Sequence, residues 1–438
     1  MIIKFSIKNI LKNMESSKKD LLRGSSWILF GNLFSKILVF CATIAVTHIL
    51  TKDLYGQLGI IRSTVQMFIA VSSFGIGATA TKYIAEYRNK DARYAIRVYW
   101  IATLFIATMA VIAVGLLLFF SRYIANSMLH APEIVNNLRV SAFILFFSLM
   151  NGAQSGALSG FEDFKHLSFS NILNGILEII FLPLGAYLWG LPGAVLGFGS
   201  CFLLVFIYNT YHVNKNFKCT GINIFSIIKK IKLTDFSILY KFSFPIALSS
   251  WLILVMYWVS KTMIVKDADF TSMANYDVAE QFKAQLMFIP GILSQVLLPI
   301  LTNRTAENQS NEAKSMIWMN IRINIIITFS IFLIILLFGK YILMIYGKEY
   351  TNTFPLYILC FCAVIDSISN SYVPVIISSN KVWNVLIFNL IWGIILFSVY
   401  TFCRTMLVPE NALAIAYLSA ALVQMTLMTI YLKKAKLV

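Results

Sequence analysis

Tyr55-Gly-Gln-Leu-Gly-Ile-Ile-Arg62 and Tyr276-Asp-Val-Ala-Glu-Gln-Phe-Lys283 are the two stretches that decide how this chain is read. In each, a tyrosine is followed seven residues later by a cation, near the start of the second apolar hairpin of its half. Seven residues make about two helical turns, so tyrosine and cation share a face. The apolar segment before each stretch also carries a lysine, Lys36 and Lys261. A charge at the centre of the hydrocarbon costs roughly 2.5–3.5 kcal/mol on insertion scales. Four of them facing lipid would cost on the order of 10 kcal/mol, so they are expected to line a wet internal cavity. A cationic cavity shared by two repeated halves points to transport of something anionic.

Composition sets the class. Of 438 residues, 59% are hydrophobic and 13% charged, with a mean hydropathy of +0.77. Soluble domains carry about 45–50% apolar and about 25% charged residues. The expectation is an all-α polytopic membrane protein rather than a globular enzyme on an anchor. The formal charge of +17 invites a nucleic-acid reading. The basic residues, however, gather on one side of the topology drawn below, the positive-inside pattern of a cytoplasmic face, so no nucleic-acid partner is expected.

A spanning helix needs about 20 mainly apolar residues. Twelve such segments are legible: 24–50, 55–83, 97–121, 137–160, 167–189, 192–213, 242–265, 274–302, 316–338, 352–378, 382–407 and 411–432. An even number puts both termini on one side, and both are basic (Lys18, Lys19 and Arg23; Lys433, Lys434 and Lys436). The organisation reads as a cytoplasmic tail 1–23, a six-helix bundle 24–213, a linker 214–241, a second bundle 242–432 and a short tail 433–438, around a central cavity. The tail lacks a signal-peptide core, so the first helix serves as an uncleaved insertion signal. Gly190, Leu191 and Pro192 are all that separate segments five and six, a tight hairpin. In the linker, Ile224, Phe225, Ile228 and Ile231 recur at helical spacing among lysines, which reads as an amphipathic surface helix or as a plain solvated connection.

The membrane charges are the candidate site. Lys36 lies about 12 residues, or roughly 18 Å, into its helix, near the bilayer midplane. Neither it nor Arg62 has an acid within a turn, so each lines a cavity or pairs with a distant acid such as Glu178 or Asp366. Lys283 stands three residues after Glu280, which could neutralise it on one face. Asp277, Glu280 and Lys283 then form a substrate site, a proton relay or a polar seam. Lys261 either takes part or snorkels to the interface. Glu178 and Asp366 are single acids in apolar runs, candidates for carrying H+ or Na+, or partners of a cavity lysine. Bends are expected at Gly75 and Gly77 and at Pro290-Gly291 and Pro299.

Other motifs are weaker. Asp267-Ala268-Asp269 has the D-x-D pattern of metal-assisted glycosyl transfer but falls outside the cell in this topology. Asn303-Arg304-Thr305 and Asn308-Gln309-Ser310 match glycosylation sequons on the cytoplasmic side. Cys41, Cys201, Cys360, Cys362 and Cys403 lie in apolar segments and Cys219 in a loop, which suits packing better than a metal or a disulfide framework. No phosphate-binding loop of the G-x-x-x-x-G-K-[ST] type is present, so ATP hydrolysis is not expected.

Thr47-His-Ile-Leu-Thr-Lys-Asp-Leu-Tyr-Gly56, Ser73-Phe-Gly-Ile-Gly77, Lys82-Tyr-Ile-Ala-Glu-Tyr87 and Leu158-Ser-Gly-Phe-Glu-Asp-Phe164 resemble the Wzx-type polysaccharide repeat-unit flippases. These are polysaccharide transporters of the MOP superfamily, which also holds the MATE multidrug exporters. The resemblance is strongest over 22–98, and the twelve-helix plan extends it along the chain. It implies movement of an undecaprenyl-pyrophosphate-linked oligosaccharide from the cytoplasmic to the periplasmic leaflet of the bacterial inner membrane. It also implies a central cationic cavity to which Arg62, Lys283 and Lys36 correspond. Some members are ion-coupled, which gives Asp366 and Glu178 their interest.

The expected function is therefore a flippase for O-antigen or a related surface polysaccharide, working by alternating access between repeated halves. It is not an enzyme and needs no cofactor. H+ or Na+ is the candidate coupling ion, a monomer the expected state, and polysaccharide polymerase machinery a candidate partner. The competing readings are a MATE-like multidrug or metabolite antiporter and a membrane polysaccharide polymerase or glycosyltransferase.

Overall fold

In hydrocarbon every backbone N–H and C=O must find its partner inside the protein, and a helix does this within one segment. A computed structural model of the chain describes residues 16–88, 90–218, 237–293, 310–378 and 382–435, and these are almost entirely helical. The helices are α1 (Ser16–Ile49), α2 (Lys52–Ser73), α3 (Ile76–Tyr87), α4 (Ala92–Tyr123), α5 (Val135–Gly160) and α6 (Phe164–Lys218). They continue with α7 (Ser237–Asp267), α8 (Phe270–Leu286), α9 (Ser310–Met344), α10 (Phe354–Ser378), α11 (Val382–Cys403) and α12 (Pro409–Lys434). The fold is that of an all-α polytopic membrane protein.

Among the described residues eight helices are long and apolar enough to cross a membrane, or nine if α2 and α3 form one bent span. α6 counts as one of these, yet its 55 residues would reach about 80 Å if straight, far beyond a bilayer core of about 30 Å. It is broken at Trp189 and Gly190 into two arms. The second arm of α6, α7 and α8 fall on the remaining hydrophobic segments read from the sequence. The outward surface fits this reading. Phe119, Leu337, Ile326 and Ile394 are all well exposed, as side chains facing acyl chains should be.

The breaks fall where the backbone chemistry permits them. Gly190 has φ 61° and ψ −139°, a region open only to glycine, and it turns the second arm of α6 back on the first. α2 and α3 meet at 44°, with Phe74 and Gly75 both at positive φ between them. α8 stops at Met287, three residues before Pro290, whose ring supplies no N–H to the Leu286 carbonyl; helix resumes over 288–293. Pro299 and both sequons, apart from Ser310, lie outside the described residues, as do 219–236 of the linker, 1–15 and 436–438.

The chain divides into two compact units. The first holds the described residues up to Thr43, Phe68–Phe120 and Asn137–Ala247. The second holds Ile44–Met67, Ser121–Asn136 and everything from Leu248 onward. In the first unit α5 lies against α3 through Gly156 and Gly77, and α6 against α1 through Gly175 and Ser35. In the second unit α10 is the innermost helix, with 67% of its span buried against 22% for α9. A cluster of Ile317, Ile321, Tyr372, Ile376, Phe388, Met428 and Leu432 packs α9 to α12 together there.

The second unit also takes in the start of α2. A Cβ on Gly56 would overlap the Phe270 carbonyl at the head of α8, so only glycine lets these two backbones meet. Overpacking of this kind costs about 1–3 kcal/mol. Gly56→Ala is therefore expected to lower the melting temperature of the purified protein. Gly115→Ala, which meets nothing within 4 Å, should leave it unchanged or raise it.

Candidate functional site

α8 places Asp277, Glu280 and Lys283 at intervals of three residues. Each step of three falls short of a full turn by about 60°, so the three charges walk around the helix instead of stacking on one face. Each consequently meets a different neighbour. Asp277 turns to α2, where it accepts a hydrogen bond from the Tyr55 hydroxyl at 3.0 Å and lies against Gly59. Gln281, one turn on, donates to Asp277 at 2.9 Å and to the Tyr55 oxygen at 2.6 Å. Glu280 turns to α7 and forms an ion pair with Lys261, which also lies 3.8 Å from Asp277. Lys283 turns to α10 and binds Asp366 at 2.9 Å.

Two tyrosines complete the Lys283 end. Tyr417 on α12 donates to Asp366 at 2.8 Å, so the Tyr257 hydroxyl on α7, which is hydrogen-bonded to Tyr417, is the donor in that pair. The Lys283 ammonium also sits 3.4 Å from the Tyr417 ring centroid and 5.9 Å from that of Tyr257. A chain Tyr257–Tyr417–Asp366–Lys283 results, tying α7, α12, α10 and α8. Lys283 is 7% exposed and Lys261 8%. An ion buried this deeply is tolerated only when paired and hydrogen-bonded, and both lysines are. A cavity of about 260 Å³ opens beside Asp366, between α7, α10, α11 and α12.

The first unit holds a second cavity, of about 320 Å³, lined by Asn32, Lys36, Asn151, Ser155, Asn171 and Asn174. It lies between α1, α5 and both arms of α6. Asn171 donates to Asn32 at 2.6 Å, and Asn151 to the Phe202 carbonyl at 2.9 Å. Glu178 is buried on α6, one turn beyond Asn174 and on the same face as Asn171.

The sequence candidates thus divide. Lys36 and Glu178 belong to the first unit. Arg62, Lys261, Lys283, Asp277, Glu280 and Asp366 belong to the second. Arg62 lies half-buried on α2, two turns after Tyr55. Three alternatives that the sequence left open are resolved. Lys261 does not snorkel to the interface, because two carboxylates hold it inside. Glu280 neutralises Lys261 and not Lys283, because the three-residue spacing turns it toward α7. Asp366 serves Lys283 rather than Lys36 or Arg62. Lys261 and Lys283 are consequently counter-paired, not bare cations. Tyr257 and Tyr417 escaped the sequence reading, since in a chain with 20 tyrosines only packing shows which reach a buried charge.

The weaker motifs have structural work. Asp267 accepts from Tyr400 at 2.8 Å and from Arg404 at 3.0 and 3.1 Å. Asp269 caps α8 through Ser272 N at 2.7 Å and Thr271 Oγ1 at 2.8 Å. Partial burial works against the Asp269 charge, but these hydrogen bonds and the nearby Lys52 hold its pKa below the ordinary carboxylate value. Cys360 and Cys362 are buried in α10.

Two predictions follow from this geometry. A depressed folded pKa means that the cap of α8 contributes above the unfolded carboxylate pKa of about 3.9 and is lost as pH falls through the folded value. Asp269→Ala should therefore cost about 1 kcal/mol at pH 7 and progressively less below about pH 4, read from unfolding at both pH values. For the buried pair, Lys283→Ala or Asp366→Ala alone should cost about 3–5 kcal/mol by stranding the partner. Lys283→Met with Asp366→Leu should recover most of that loss, and additive costs in denaturant titrations would show the pair to be uncoupled.

Comparisons with known proteins agree with this architecture. Residues 21–305 match the family described as polysaccharide biosynthesis protein. No curated protein matches the chain significantly. Among solved structures, one described as an inward-facing multidrug resistance MATE family transporter of the MOP superfamily superposes with a TM-score of 0.76. It is 13% identical, and the alignment covers 92% of this chain and 95% of that one. A variant of the Vibrio cholerae MATE transporter VcmN gives 0.68 at 14% identity, covering 95% and 96%. A MOP superfamily transporter from Pyrococcus furiosus, described as having a binding pocket of reverse polarity that suggests a different function, gives 0.67 at 15% identity, covering 96% of each. The chain belongs to the polysaccharide biosynthesis protein family and has the fold of the MOP superfamily transporters.

Proposed function

We propose that this chain flips an undecaprenyl-pyrophosphate-linked oligosaccharide repeat unit from the cytoplasmic to the periplasmic leaflet of the bacterial inner membrane. In this reading both termini are cytoplasmic and the chain acts as a monomer alongside polysaccharide polymerase machinery. The observation that carries it is the buried Lys283–Asp366 pair, set beside a cavity in a membrane-spanning unit of a polysaccharide-family protein. Ionisable groups at membrane depth are expensive and mark transport paths by default.

The pairing supplies a mechanism. A lysine held by one carboxylate can exchange it for a pyrophosphate oxygen without standing unpaired in a low dielectric. Asp366, released, is neutralised by a proton or by Na+, since an isolated carboxylate is not stable there. Release of the cargo reverses the exchange, so Lys283 binds the anion firmly in one state and Asp366 reclaims it in the other. Lys261, with Glu280 and Asp277, offers a second exchange of the same kind one turn away. Lys36, with the amides around it, supplies further contacts in the first unit. No step forms or breaks a covalent bond, in keeping with a carrier rather than an enzyme.

One observation favours a second reading. The acids outnumber the lysines in the α8 network, and the fold is shared with a protein described as a multidrug resistance MATE family transporter. Fold alone does not assign cargo. Expression in a strain lacking its own O-antigen flippase separates the two. The flippase reading expects a ladder of polymerised surface polysaccharide that falls about 10–100-fold in Lys283→Ala at equal protein level. That is the loss of one charge-assisted contact of about 1.5–3 kcal/mol. Arg62→Ala is expected to act in the same direction. A full ladder in the double variant would overturn the assigned site, and raised drug tolerance without a ladder would favour the antiporter.

A further inference from the structure

The 260 Å³ cavity beside Asp366 carries more chemistry than an ion pair needs. Four helices aim residues into it: Tyr257 from α7, Ser369 from α10, Asn389 and Trp392 from α11, and Tyr417 and Gln424 from α12. Asn389 and Trp392 lie three residues apart on α11 and Tyr417 and Gln424 seven apart on α12, and both pairs line the cavity. The rings form a closed triangle, with centroids 5.3 Å apart for Tyr257 and Trp392, 5.5 Å for Trp392 and Tyr417, and 5.8 Å for Tyr257 and Tyr417.

The polar groups are mixed donors and acceptors. Gln424 Nε2 donates to Asn389 Oδ1 at 2.9 Å. This leaves the Asn389 amino group and the Gln424 carbonyl without another partner among the described residues. The Ser369 hydroxyl, on a residue 7% exposed, is buried with no hydrogen-bond partner among the described residues. A buried hydroxyl left unmade costs about 1–3 kcal/mol, which a ligand hydroxyl reaching Ser369 would recover.

We infer that this cavity is a carbohydrate subsite that takes one sugar ring of the cargo, the ring packing on Trp392 and its hydroxyls bonding Ser369, Asn389 and Gln424. This rests on the flippase reading and names the part of the substrate that the second unit recognises. A phosphate would require a cation in the lining, and none of the residues that line this cavity is a lysine or arginine. A lipophilic cation would require an available carboxylate, and Asp366 is held by Lys283 and Tyr417. A sugar matches what remains: an apolar ring face for an aromatic surface, and hydroxyls that both give and accept hydrogen bonds. At 260 Å³ the cavity lies below the roughly 300–1,000 Å³ of sites for drug-sized ligands, which suits one ring rather than an oligosaccharide.

The test uses the full-length protein in lipid nanodiscs and saturation-transfer NMR with N-acetylglucosamine and with glucose. Saturable transfer to the ring protons of at least one of the two sugars is expected. The apparent Kd should rise roughly tenfold in Asn389→Ala and in Gln424→Ala, and less in Trp392→Phe, which keeps an aromatic face. Thermal unfolding of each variant identifies any that fail to fold, and Trp392→Phe is the conservative control. Absence of saturable transfer in the wild type, or transfer unchanged in all three folded variants, overturns the subsite. Polysaccharide ladders are measured in parallel. A ladder with no sugar binding here removes the subsite and keeps the flippase; sugar binding lost in the variants without any ladder keeps the subsite and removes the lipid-linked cargo.

Discussion

The cost of a charge in a low dielectric organises this protein. Two buried lysines can exist in the second unit only because carboxylates reach them, Glu280 and Asp277 for Lys261 and Asp366 for Lys283. α8 meets the requirement with one device. Charges three residues apart are each rotated by about 60°, so one short helix serves α2, α7 and α10 in turn. Tyr55, Gln281, Tyr417 and Tyr257 satisfy the remaining lone pairs. Glycine at position 56 brings α2 close enough for Tyr55 to join.

Each unit holds a polar cavity beside a packed apolar body. The two cavities differ in character. In the first unit, amides and hydroxyls surround Lys36 with Phe202 as the aromatic in the lining. In the second, three rings meet an amide pair and an ion pair. A carrier of an amphiphile with a charged head and a hydroxyl-rich glycan has use for both kinds of surface. Ion pairs also suit reversible binding better than a dense cage of arginines, since a displaced carboxylate stands ready to take the lysine back.

Much of the architecture was legible. Twelve apolar segments, the hairpin at Gly190 and the bend at Gly75 depend on local properties: hydropathy over a window, and a backbone region that glycine alone reaches easily. The register of Tyr55 with Tyr276, and of Arg62 with Lys283, singled out α2 and α8, which do meet within the second unit. The individual pairings were not legible. Lys261 looked like an interfacial residue because its position along α7 was visible and its neighbours were not. Asn389, Gln424 and Ser369 were polar singles in apolar runs, a signal that could have marked them, but many buried serines and asparagines merely bond their own helix, as Ser367 does to the Val364 carbonyl.

The sequence by itself determined that the chain is helical, membrane-spanning and burdened with charges too costly to face lipid, because each of these follows from residue type and spacing along one segment. Only the tertiary structure decided which acid holds which lysine, that Tyr55 and Arg62 of α2 fall in the same unit as the α8 network, and that three aromatic rings and two amides meet around one cavity. Those outcomes depend on which helix faces which. Helix packing is set by glycine contacts and side-chain volumes distributed over the whole chain, and no local pattern encodes it.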